Sequence, residues 1–482
     1  MSAWMREEST MRMNRREWLR SAGLAAGSGL VASACAGAAK AGASGRRPNI
    51  IYIMADDLGY GDLGCYGQDV IQTPRIDQLA EEGIRFTQCY AGSTVCAPSR
   101  CALMTGLHTG HCWIRGNARV PLRPEDVTVA ELLKEQGYTT GLVGKWGLGN
   151  EETTGVPNKQ GFDYFFGYLD QGHAHNYYPD HLWRNEERVE LPENVQSETD
   201  KGVAIERETY SHDLFAQEAL DFVNRHQDEP FFLYFALTTP HANNEGGRAT
   251  GDGMEVPDYG SYAEKEWANP QKGHAAMITR MDQDVGRLMD RLKELGIDEN
   301  TIVFFTSDNG PHREGGADPD FFDSNGPLKG IKRDLYEGGI RVPMIVRWPG
   351  TLNAGQTSDQ VWAFWDFLPT AVELAGGEAP DGIDGMSMVQ TLRLHGMGGI
   401  KPVQKQHEYL YWEFHEGGFK QGVRSGDWKA VRNGKDEPLE LYDLSTDIGE
   451  TNNVAEEHPD VIQRIEEYLK VARTDNEHWQ VK

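Results

Sequence analysis

The chain has 482 residues, enough for a large buried core and for more than one domain. Its 74 acidic and 47 basic residues give a formal net charge of −27, which argues against nonspecific binding to nucleic acid or to an anionic membrane surface. All six cysteines lie in the first quarter of the chain, so the protein is not a disulfide scaffold. Four of them are interpreted as buried thiols, with a single disulfide among them left open: Cys65, Cys89, Cys101 and Cys112.

Residues 1–45 have the pattern of a twin-arginine-type signal segment and are excluded from the fold. Asn-Arg-Arg-Glu-Trp-Leu-Arg at 14–20 is a twin-arginine motif in all but its first residue, and a weakly apolar run at 22–34 follows it. That run is too short and too rich in glycine to span a bilayer. We expect the twin-arginine export machinery as a partner and a periplasmic or extracellular location. Cleavage after Ala34 and lipid anchoring through Cys35 both stay open.

Strands and helices are predicted to alternate along most of the remaining chain. The short, β-branched segment 49–54 predicts a buried strand that leads directly to Asp56 and Asp57. Further strands are predicted at 83–91, 139–144, 230–237, 301–306 and 342–346, and helices at 77–82, 128–136, 215–225 and 275–295. This alternation indicates an α/β fold.

The pattern changes after about residue 370. Short segments at 409–414, 421–424, 428–431 and 439–444 predict an antiparallel sheet, and residues 459–471 predict a closing helix. We therefore divide the chain after the export segment into a main domain, residues 46–375, and a C-terminal subdomain, residues 376–482.

Four of the predicted strands deliver polar residues just past their carboxyl ends, where α/β sheets bind ligands. Asp56 and Asp57 follow one strand, and Asp308 and Asn309 follow another. Four oxygen ligands without a neighbouring Cys or His suit a hard cation, Ca²⁺ or Mg²⁺. Each pair alone is equally typical of a turn before glycine. The metal interpretation therefore depends on two such pairs following two buried strands.

Basic residues supply the complementary charge. Lys145 follows the strand at 139–144, Lys329 and Lys332 lie in one basic loop, and the fourth strand end leads to His241. A Lys at a buried site is costly unless it is paired, so these residues favour an anionic ligand. A solvated basic loop, the usual environment of a Lys, is the alternative.

The run Cys-Ala-Pro-Ser-Arg at 96–100, followed by Thr-Gly at 105–106, resembles the sulfatase signature C-x-P-S-R-x-x-x-x-T-G. Other matching motifs lie at 55–60, 144–146, 240–241, 307–311 and 336–343. On these motifs the chain resembles the formylglycine-dependent type I sulfatases of the alkaline phosphatase superfamily over nearly all of its length from Arg47. The resemblance implies an alkaline-phosphatase-like large mixed sheet flanked by helices, with a smaller C-terminal antiparallel sheet.

The resemblance also implies a role for each candidate residue. Cys96 would be oxidised by a formylglycine-generating enzyme to an aldehyde, whose hydrate attacks sulfur and then expels sulfate. The implied ligands of Ca²⁺, or less favourably Mg²⁺, are Asp56, Asp57, Cys96, Asp308 and Asn309. The other implied roles are Arg100 orienting the formylglycine, Lys145 and Lys332 binding sulfate oxygens, and His241 protonating the leaving alcohol. Lys329 is a rival for the role of Lys332, whose distance to the Tyr-Glu-Gly-Gly motif fits the family better.

One position departs from the family pattern. The family usually has the motif Gly-Lys-Trp-His-Leu-Gly, whose His contacts the formylglycine hydrate. This chain has Gly147 in place of that His. His108 and His111 lie close to the nucleophile in sequence, and we hypothesise that one of them fills the gap. We include His108 among the candidate catalytic residues, with a structural role for both histidines as the alternative.

Loops rich in polar and aromatic residues predict a carbohydrate pocket. The candidate substrate-binding residues are His173, His175, Asn243 and His415. Together these features predict an exported sulfatase that hydrolyses sulfate monoesters of a small molecule or glycan, such as galactose- or N-acetylgalactosamine-type sulfates. The alternatives are a phosphodiesterase or phosphonate monoester hydrolase on the same scaffold, and a non-catalytic glycan-binding homologue.

Overall fold

The computed structural model of the protein describes residues 47–396 and 403–481. The predicted export segment and Cys35 lie outside these ranges. Inside them all five cysteines are free, so the disulfide left open by the sequence does not form. No helix in the described part of the chain is both long and apolar enough to cross a bilayer.

The larger of two sheets in the described ranges has eleven strands. These strands are β1 (Asn49–Ala55), β2 (Ile84–Tyr90), β3 (Thr139–Lys145), β4 (Tyr164–Tyr168), β5 (His181–Arg184), β6 (Glu187–Glu190), β7 (Phe231–Ala236), β8 (Thr301–Ser307), β9 (Arg341–Arg347), β10 (Gln356–Ser358) and β11 (Trp362–Ala363). Their order is β10-β2-β9-β8-β1-β7-β3-β4-β5-β6, and β11 pairs with β2. The sheet is mixed, because β8, β1, β7, β3 and β4 run parallel while β9 is antiparallel to both β8 and β2.

Helices cover both faces of this sheet. The α-helices of the described ranges are α1 (Pro74–Glu81), α2 (Cys96–Thr105), α3 (Val129–Glu135), α4 (Ser211–His226), α5 (Asn244–Thr250), α6 (Asn269–Glu294), α7 (Glu337–Ile340), α8 (Phe367–Leu374), α9 (Val389–Gly396) and α10 (Pro459–Val471). The central strand β1 shows why both faces are buried. Ile50 and Tyr52 pack with α2, α3 and α8 on one face, while Ile51 and Ile53 pack with α1, α4 and α6 on the other.

The α/β class and the large mixed sheet predicted from the sequence are confirmed. The sequence did not predict the strands β4, β5, β6, β10 and β11, and two helices begin earlier than expected. The helix expected at 275–295 begins at Asn269, and the helix expected at 77–82 begins at Pro74. Both first turns contain a Pro, whose fixed φ favours the first turn of a helix.

The predicted C-terminal antiparallel sheet is also confirmed. Its strands are β12 (Leu410–Phe414), β13 (Lys420–Ser425), β14 (Trp428–Arg432) and β15 (Glu440–Asp443), paired in that order. Helix α10 covers one face through Ile465 and Leu469. On the other face Trp412 packs against Val95 and Trp365 of the main domain. The small sheet therefore lies directly against the residue that precedes Cys96.

A buried charge network joins the two sheets. Lys429 on β14 donates to Glu337 at 3.1 Å and to Glu450 at 3.5 Å. Tyr90 at the end of β2 donates to Glu337 at 2.6 Å. Burial raises the pKa of Glu450 to about 7, and the charge of Glu337 acts in the same direction while Lys429 opposes it.

This network predicts a pH-dependent stability. Because Glu450 binds its proton more tightly in the folded protein than at its ordinary pKa of 4.5, its contribution to stability is full below pH 4.5 and is lost as the pH rises through about 7. Glu450→Gln should lack this loss, which amounts to at most about 1.4 kcal/mol per pH unit. Urea unfolding at pH 5 and pH 8 measures the effect.

The matched control is Glu467→Gln, because Glu467 is an exposed carboxylate paired with Lys470. Its unfolding free energy should follow that of the unsubstituted protein at both pH values. A Glu450→Gln profile parallel to the control would contradict the assignment.

Candidate active site

The strand order brings the predicted charged residues to one edge of the sheet. β8, β1, β7 and β3 are consecutive parallel neighbours, so their carboxyl ends lie side by side. The residues delivered there are Asp308 and Asn309 after β8, Asp56 and Asp57 after β1, His241 after β7, and Lys145 at the end of β3. All of them are buried. The convergence expected from the sequence is therefore present.

Helix α2 places the signature residues at this edge. It begins at Cys96 directly after extended Val95, and Pro98 is accommodated in its first turn, where a backbone N–H is not needed. The Ala97 backbone N–H donates to Asn117 Oδ1 at 3.0 Å. Cys96 Sγ lies 3.2 Å from Asp56 Oδ1. The thiol is thus held against the acidic pair by the first turn of the helix.

Each of the three carboxylates has its own cation. Lys145 Nζ lies 2.6 Å from Asp56 Oδ2, and Lys332 Nζ lies 2.7 Å from Asp57 Oδ2. Arg100 donates from Nε and Nη2 to Asp308 Oδ2 at 3.0 and 2.8 Å, and from Nη1 to the Lys145 carbonyl at 2.7 Å. We refer to these three contacts as the charge pairs. They are buried, so removal of either partner leaves an uncompensated charge.

The pairing changes the acidity of the groups involved. Burial alone would raise the pKa of Asp56, but the charges of Lys145 and Arg100 hold it well below its usual range. Burial and then the charge of Asp56 raise the pKa of Asp308 to about 7. Burial also raises the pKa of the Cys96 thiol, and Asp308 and Asp56 raise it further. An unmodified Cys96 therefore has little thiolate character.

His241 is fixed beside Lys332. Its Nδ1 donates to the Ala242 carbonyl at 2.6 Å, so Nε2 is the acceptor and receives Lys332 Nζ–H at 3.1 Å. Burial and the neighbouring Lys332 lower the pKa of His241, which keeps the ring neutral. His175 stacks on this ring with 4.7 Å between centroids. Of the predicted substrate-binding residues, His175 is the one in ring contact with His241.

The donor set fits a hard divalent cation. Ligand atoms of Asp56, Asp57, Cys96 and His241 lie within 4.8 Å of one another. Asn309 donates from Nδ2 to Asp57 Oδ1 at 2.7 Å. Its Oδ1 is buried and has no hydrogen-bond partner among the described residues. A buried acceptor without a donor, beside three carboxylates, is the environment that Ca²⁺ or Mg²⁺ satisfies with oxygen ligands.

His108 and His111 lie away from Cys96. Helix α2 separates them from the nucleophile, and its ten residues span about 15 Å. The His111 side chain contacts Asp384 at 2.8 Å, and the two imidazoles stack with 4.5 Å between centroids. Burial lowers the pKa of His108 to about 4. The structure therefore gives both histidines a structural position, and sequence proximity misled because the intervening residues form a helix.

The remaining candidate substrate residues have partners of their own. Asn243 is buried and caps helix α5 by accepting from the Gly246 N–H at 3.0 Å. His173 stacks on His181 with 4.3 Å between centroids. His415 contacts Glu413 at 3.0 Å within the C-terminal sheet. Lys329, the rival of Lys332, donates to Tyr442 and to the Glu450 carbonyl instead of reaching Asp57.

Sequence reasoning missed two residues at this site. Glu314 accepts from Lys332 Nζ at 3.3 Å and pairs with Arg333 Nη1 at 2.7 Å. Asn117 binds the Ala97 N–H and in turn donates its own backbone N–H to Glu416 at 3.1 Å. Glu314 lies five residues after Asn309, in the loop that follows β8. Its position after a predicted strand could therefore have identified it as a site residue. Asn117 lies in an irregular loop, and no sequence pattern there indicates a site residue.

Comparisons with known proteins identify the family of the chain. The family model described as Sulfatase matches residues 48–377, and the model described as N-sulphoglucosamine sulphohydrolase, C-terminal, matches residues 330–475. The match to the first model covers more than half of the chain. The chain belongs to the sulfatase family, a class of sulfuric ester hydrolases.

Individual relatives extend over most of the chain. The N-acetylgalactosamine-6-O-sulfatase of Bacteroides thetaiotaomicron is 30% identical over 90% of this chain and 94% of its own length. Human arylsulfatase A is 34% identical over 88% of this chain and 87% of its own length. The crystal structure of Ps i-CgsB in complex with k-i-k-neocarrahexaose has a TM-score of 0.74 and 28% identity, covering 91% of this chain and 95% of that chain.

The Arg100–Asp308 pair gives a testable stability prediction. Arg100→Met should lower the free energy of unfolding by about 3–5 kcal/mol, because it leaves buried Asp308 without a cation. Arg313→Met is the matched control, since Arg313 pairs with Asp320 at the surface and should cost at most about 1 kcal/mol. Guanidinium unfolding of both variants measures the difference, and equal losses would show that the buried pair is not needed for stability.

Proposed function

We propose that the protein hydrolyses sulfate monoesters of a carbohydrate through a formylglycine made from Cys96, with Ca²⁺ as its metal. The observation that supports this most is the set of three buried charge pairs around Cys96. In such a site the basic side chains can leave their carboxylate partners and bind the oxygens of an anionic substrate instead. A non-catalytic glycan-binding protein would have no need for a nucleophile position inside such a cluster.

Asp56, Asp57, Asp308 and Asn309 would hold the metal, together with the residue at position 96. A bound Ca²⁺ would supply electrostatic stabilisation of sulfate oxygens in the transition state. By taking the carboxylates as ligands, it would weaken their hold on Lys145 and Lys332. Both ammonium groups could then donate to the sulfate ester, and Arg100 would keep Asp308 in place.

The aldehyde hydrate at position 96 would supply one hydroxyl as nucleophile and a second whose proton loss allows sulfate release. An unmodified thiol suits this site poorly, because burial and two carboxylates disfavour its ionised form. The first turn of α2 fixes the position of this side chain through the Ala97 contact with Asn117. Modification by a formylglycine-generating enzyme is therefore part of the proposal.

His241 and Lys332 are placed to handle the proton of the leaving alcohol. Lys332 Nζ–H donates to His241 Nε2 at 3.1 Å, so a proton can pass between these two groups without large movement. A developing alkoxide next to this pair would receive a proton from it. General acid assistance of this kind contributes roughly 10²–10⁴-fold to a rate.

The substrate we propose is a sulfated galactose- or N-acetylgalactosamine-type sugar, in a small molecule or glycan. The support comes from the relatives named N-acetylgalactosamine-6-sulfatases and from the likeness to a structure with a bound neocarrahexaose. The phosphonate monoester hydrolase of Agrobacterium radiobacter has a TM-score of 0.61 at 21% identity, which is a likeness of fold alone. We further propose twin-arginine export to the periplasm or beyond, on the motif at 14–20.

The activity is tested by hydrolysis of N-acetylgalactosamine 6-sulfate and 4-nitrophenyl sulfate by protein produced with a formylglycine-generating enzyme. Cys96→Ser should lose multiple turnover, because a serine sulfate ester has no second hydroxyl to expel sulfate. Cys112→Ser is the matched control, since this buried thiol lies outside the candidate site. A faster reaction with bis(4-nitrophenyl) phosphate than with every sulfate ester would favour the phosphodiesterase alternative.

Metal binding is tested by stability. Ca²⁺ at roughly 100 times its Kd should stabilise the protein by about 2.7 kcal/mol, visible as a higher Tm than in EDTA. Asn309→Ala should reduce this shift because it removes the unpartnered Oδ1, whereas the exposed control Asn353→Ala should retain it. A larger shift with Mg²⁺ than with Ca²⁺ would overturn the choice of metal.

A further inference from the structure

Gly147, the position at which this chain departs from the sulfatase motif, has its side-chain space filled by another residue. A Cβ placed on Gly147 would meet Gln171 Nε2 at 2.5 Å and Gln171 Cδ at 2.9 Å. The backbone there is also left-handed, with φ of +78°, a conformation that favours glycine. The carboxamide of Gln171 therefore fills the space that a side chain at position 147 would need.

Pairing of β3 with β4 determines this arrangement. The two strands are parallel, and their pairing continues beyond the sheet, where the Trp146 N–H donates to the Tyr168 carbonyl at 3.0 Å and the Gly147 N–H to the Leu169 carbonyl at 3.1 Å. The chain after β4 thus runs beside the chain after β3. Gln171 follows two residues later, which brings its side chain back over Gly147.

The amide of Gln171 is an unused donor. Nε2 is buried and has no hydrogen-bond partner among the described residues. A buried donor without an acceptor is costly, so such groups in native structures usually have a ligand or water as partner. Gln171 and Gly147 both line a cleft of about 210 Å³, which we call the Gly147 cleft. The free donor therefore lies in the wall of a space that can hold a ligand group.

Two residues that line the Gly147 cleft are connected to the neighbours of Cys96. Asn117 lies in its wall and binds the backbone N–H of Ala97, the residue next to Cys96. Gly147 itself is two residues past Lys145, whose ammonium contacts Asp56 at 2.6 Å, and Asp56 in turn contacts Cys96. A sulfate ester bound at Cys96 would thus have the Gly147 cleft at its side.

We propose that Gln171 is a substrate-contacting residue that donates Nε2–H to an oxygen of the sulfate ester, and that Gly147 is required to make room for it. This inference rests on the proposed sulfatase function. A carboxamide is neutral and does not titrate between about pH 5 and 8, whereas an imidazole does. Gln171 therefore stabilises negative charge without carrying a proton, and proton transfer is left to His241 and Lys332.

Three variants test the role of Gln171. Gln171→Ala should lower kcat/KM for N-acetylgalactosamine 6-sulfate about 10- to 100-fold, the usual effect of losing a hydrogen bond to a charged group. Gln171→Glu should lower it further, because a carboxylate repels the substrate. Gln217→Ala, which changes an exposed glutamine of α4 that donates to Asp221, should leave kcat/KM unchanged. The same ranking is expected for the affinity of N-acetylgalactosamine 6-sulfate measured by calorimetry in a Cys96→Ala background.

A double substitution tests the link to Gly147. Gly147→Ala should lower kcat/KM because the new methyl group displaces Gln171. Gly147→Ala combined with Gln171→Ala should then be much less damaging than the product of the two single effects. Fully multiplicative effects would overturn the link, since they would mean that the two residues act independently.

The outcomes separate the two proposals. Absence of sulfatase activity in the formylglycine-containing protein would refute the proposed function. An active protein whose Gln171→Ala and Gln171→Glu variants retain full kcat/KM and full affinity would refute the role of Gln171 alone. Equal Tm values for the Gln171 variants and the unsubstituted protein ensure that a loss of activity reflects contact with substrate.

Discussion

Every ion pair at the centre of the candidate active site is buried, and this constraint links the fold to the chemistry. A charge removed from water must be paired, and here each carboxylate has one cation within 2.8 Å. The partners come from different parts of the chain: Asp56 follows β1, Asp308 follows β8, Lys145 ends β3 and Arg100 lies in α2. The parallel order β8-β1-β7-β3 brings these strand ends side by side, so the pairing of the buried charges depends on the topology of the sheet.

The same pairing determines how the site can accept an anion. The charges of the three carboxylates and their three basic partners cancel, so the charge pairs together are neutral. A divalent cation bound by the carboxylates would give it an excess positive charge and would release lysine ammonium groups from their present partners. The site would then be complementary to a sulfate ester. Binding of a divalent cation would in this way favour binding of the anionic substrate.

The sequence was sufficient for the parts of the site that follow buried strands. Periodicity located β1, β3, β7 and β8, and their carboxyl ends carried Asp56, Lys145, His241 and Asp308. Contacts made by loops could not be predicted in this way. His108 lies twelve residues from Cys96 but at the far end of a helix, whereas Gln171 reaches Gly147 only because β4 pairs with β3. Such contacts depend on tertiary structure, and local sequence patterns do not predict them.

The overall negative charge of the protein opposes the approach of a sulfated sugar. At −27 the average field repels polyanions. The basic residues near the mouth of the site do not offset this, because Arg333 pairs with Glu314 and Glu416, and Arg119 lies 3.6 Å from Asp170. Attraction would then come from a metal held by the buried carboxylates, because solvent ions screen a buried charge much less than a surface charge. Recognition would be confined to the one sulfate group that enters the site, and the amide of Gln171 would add a neutral contact to that group.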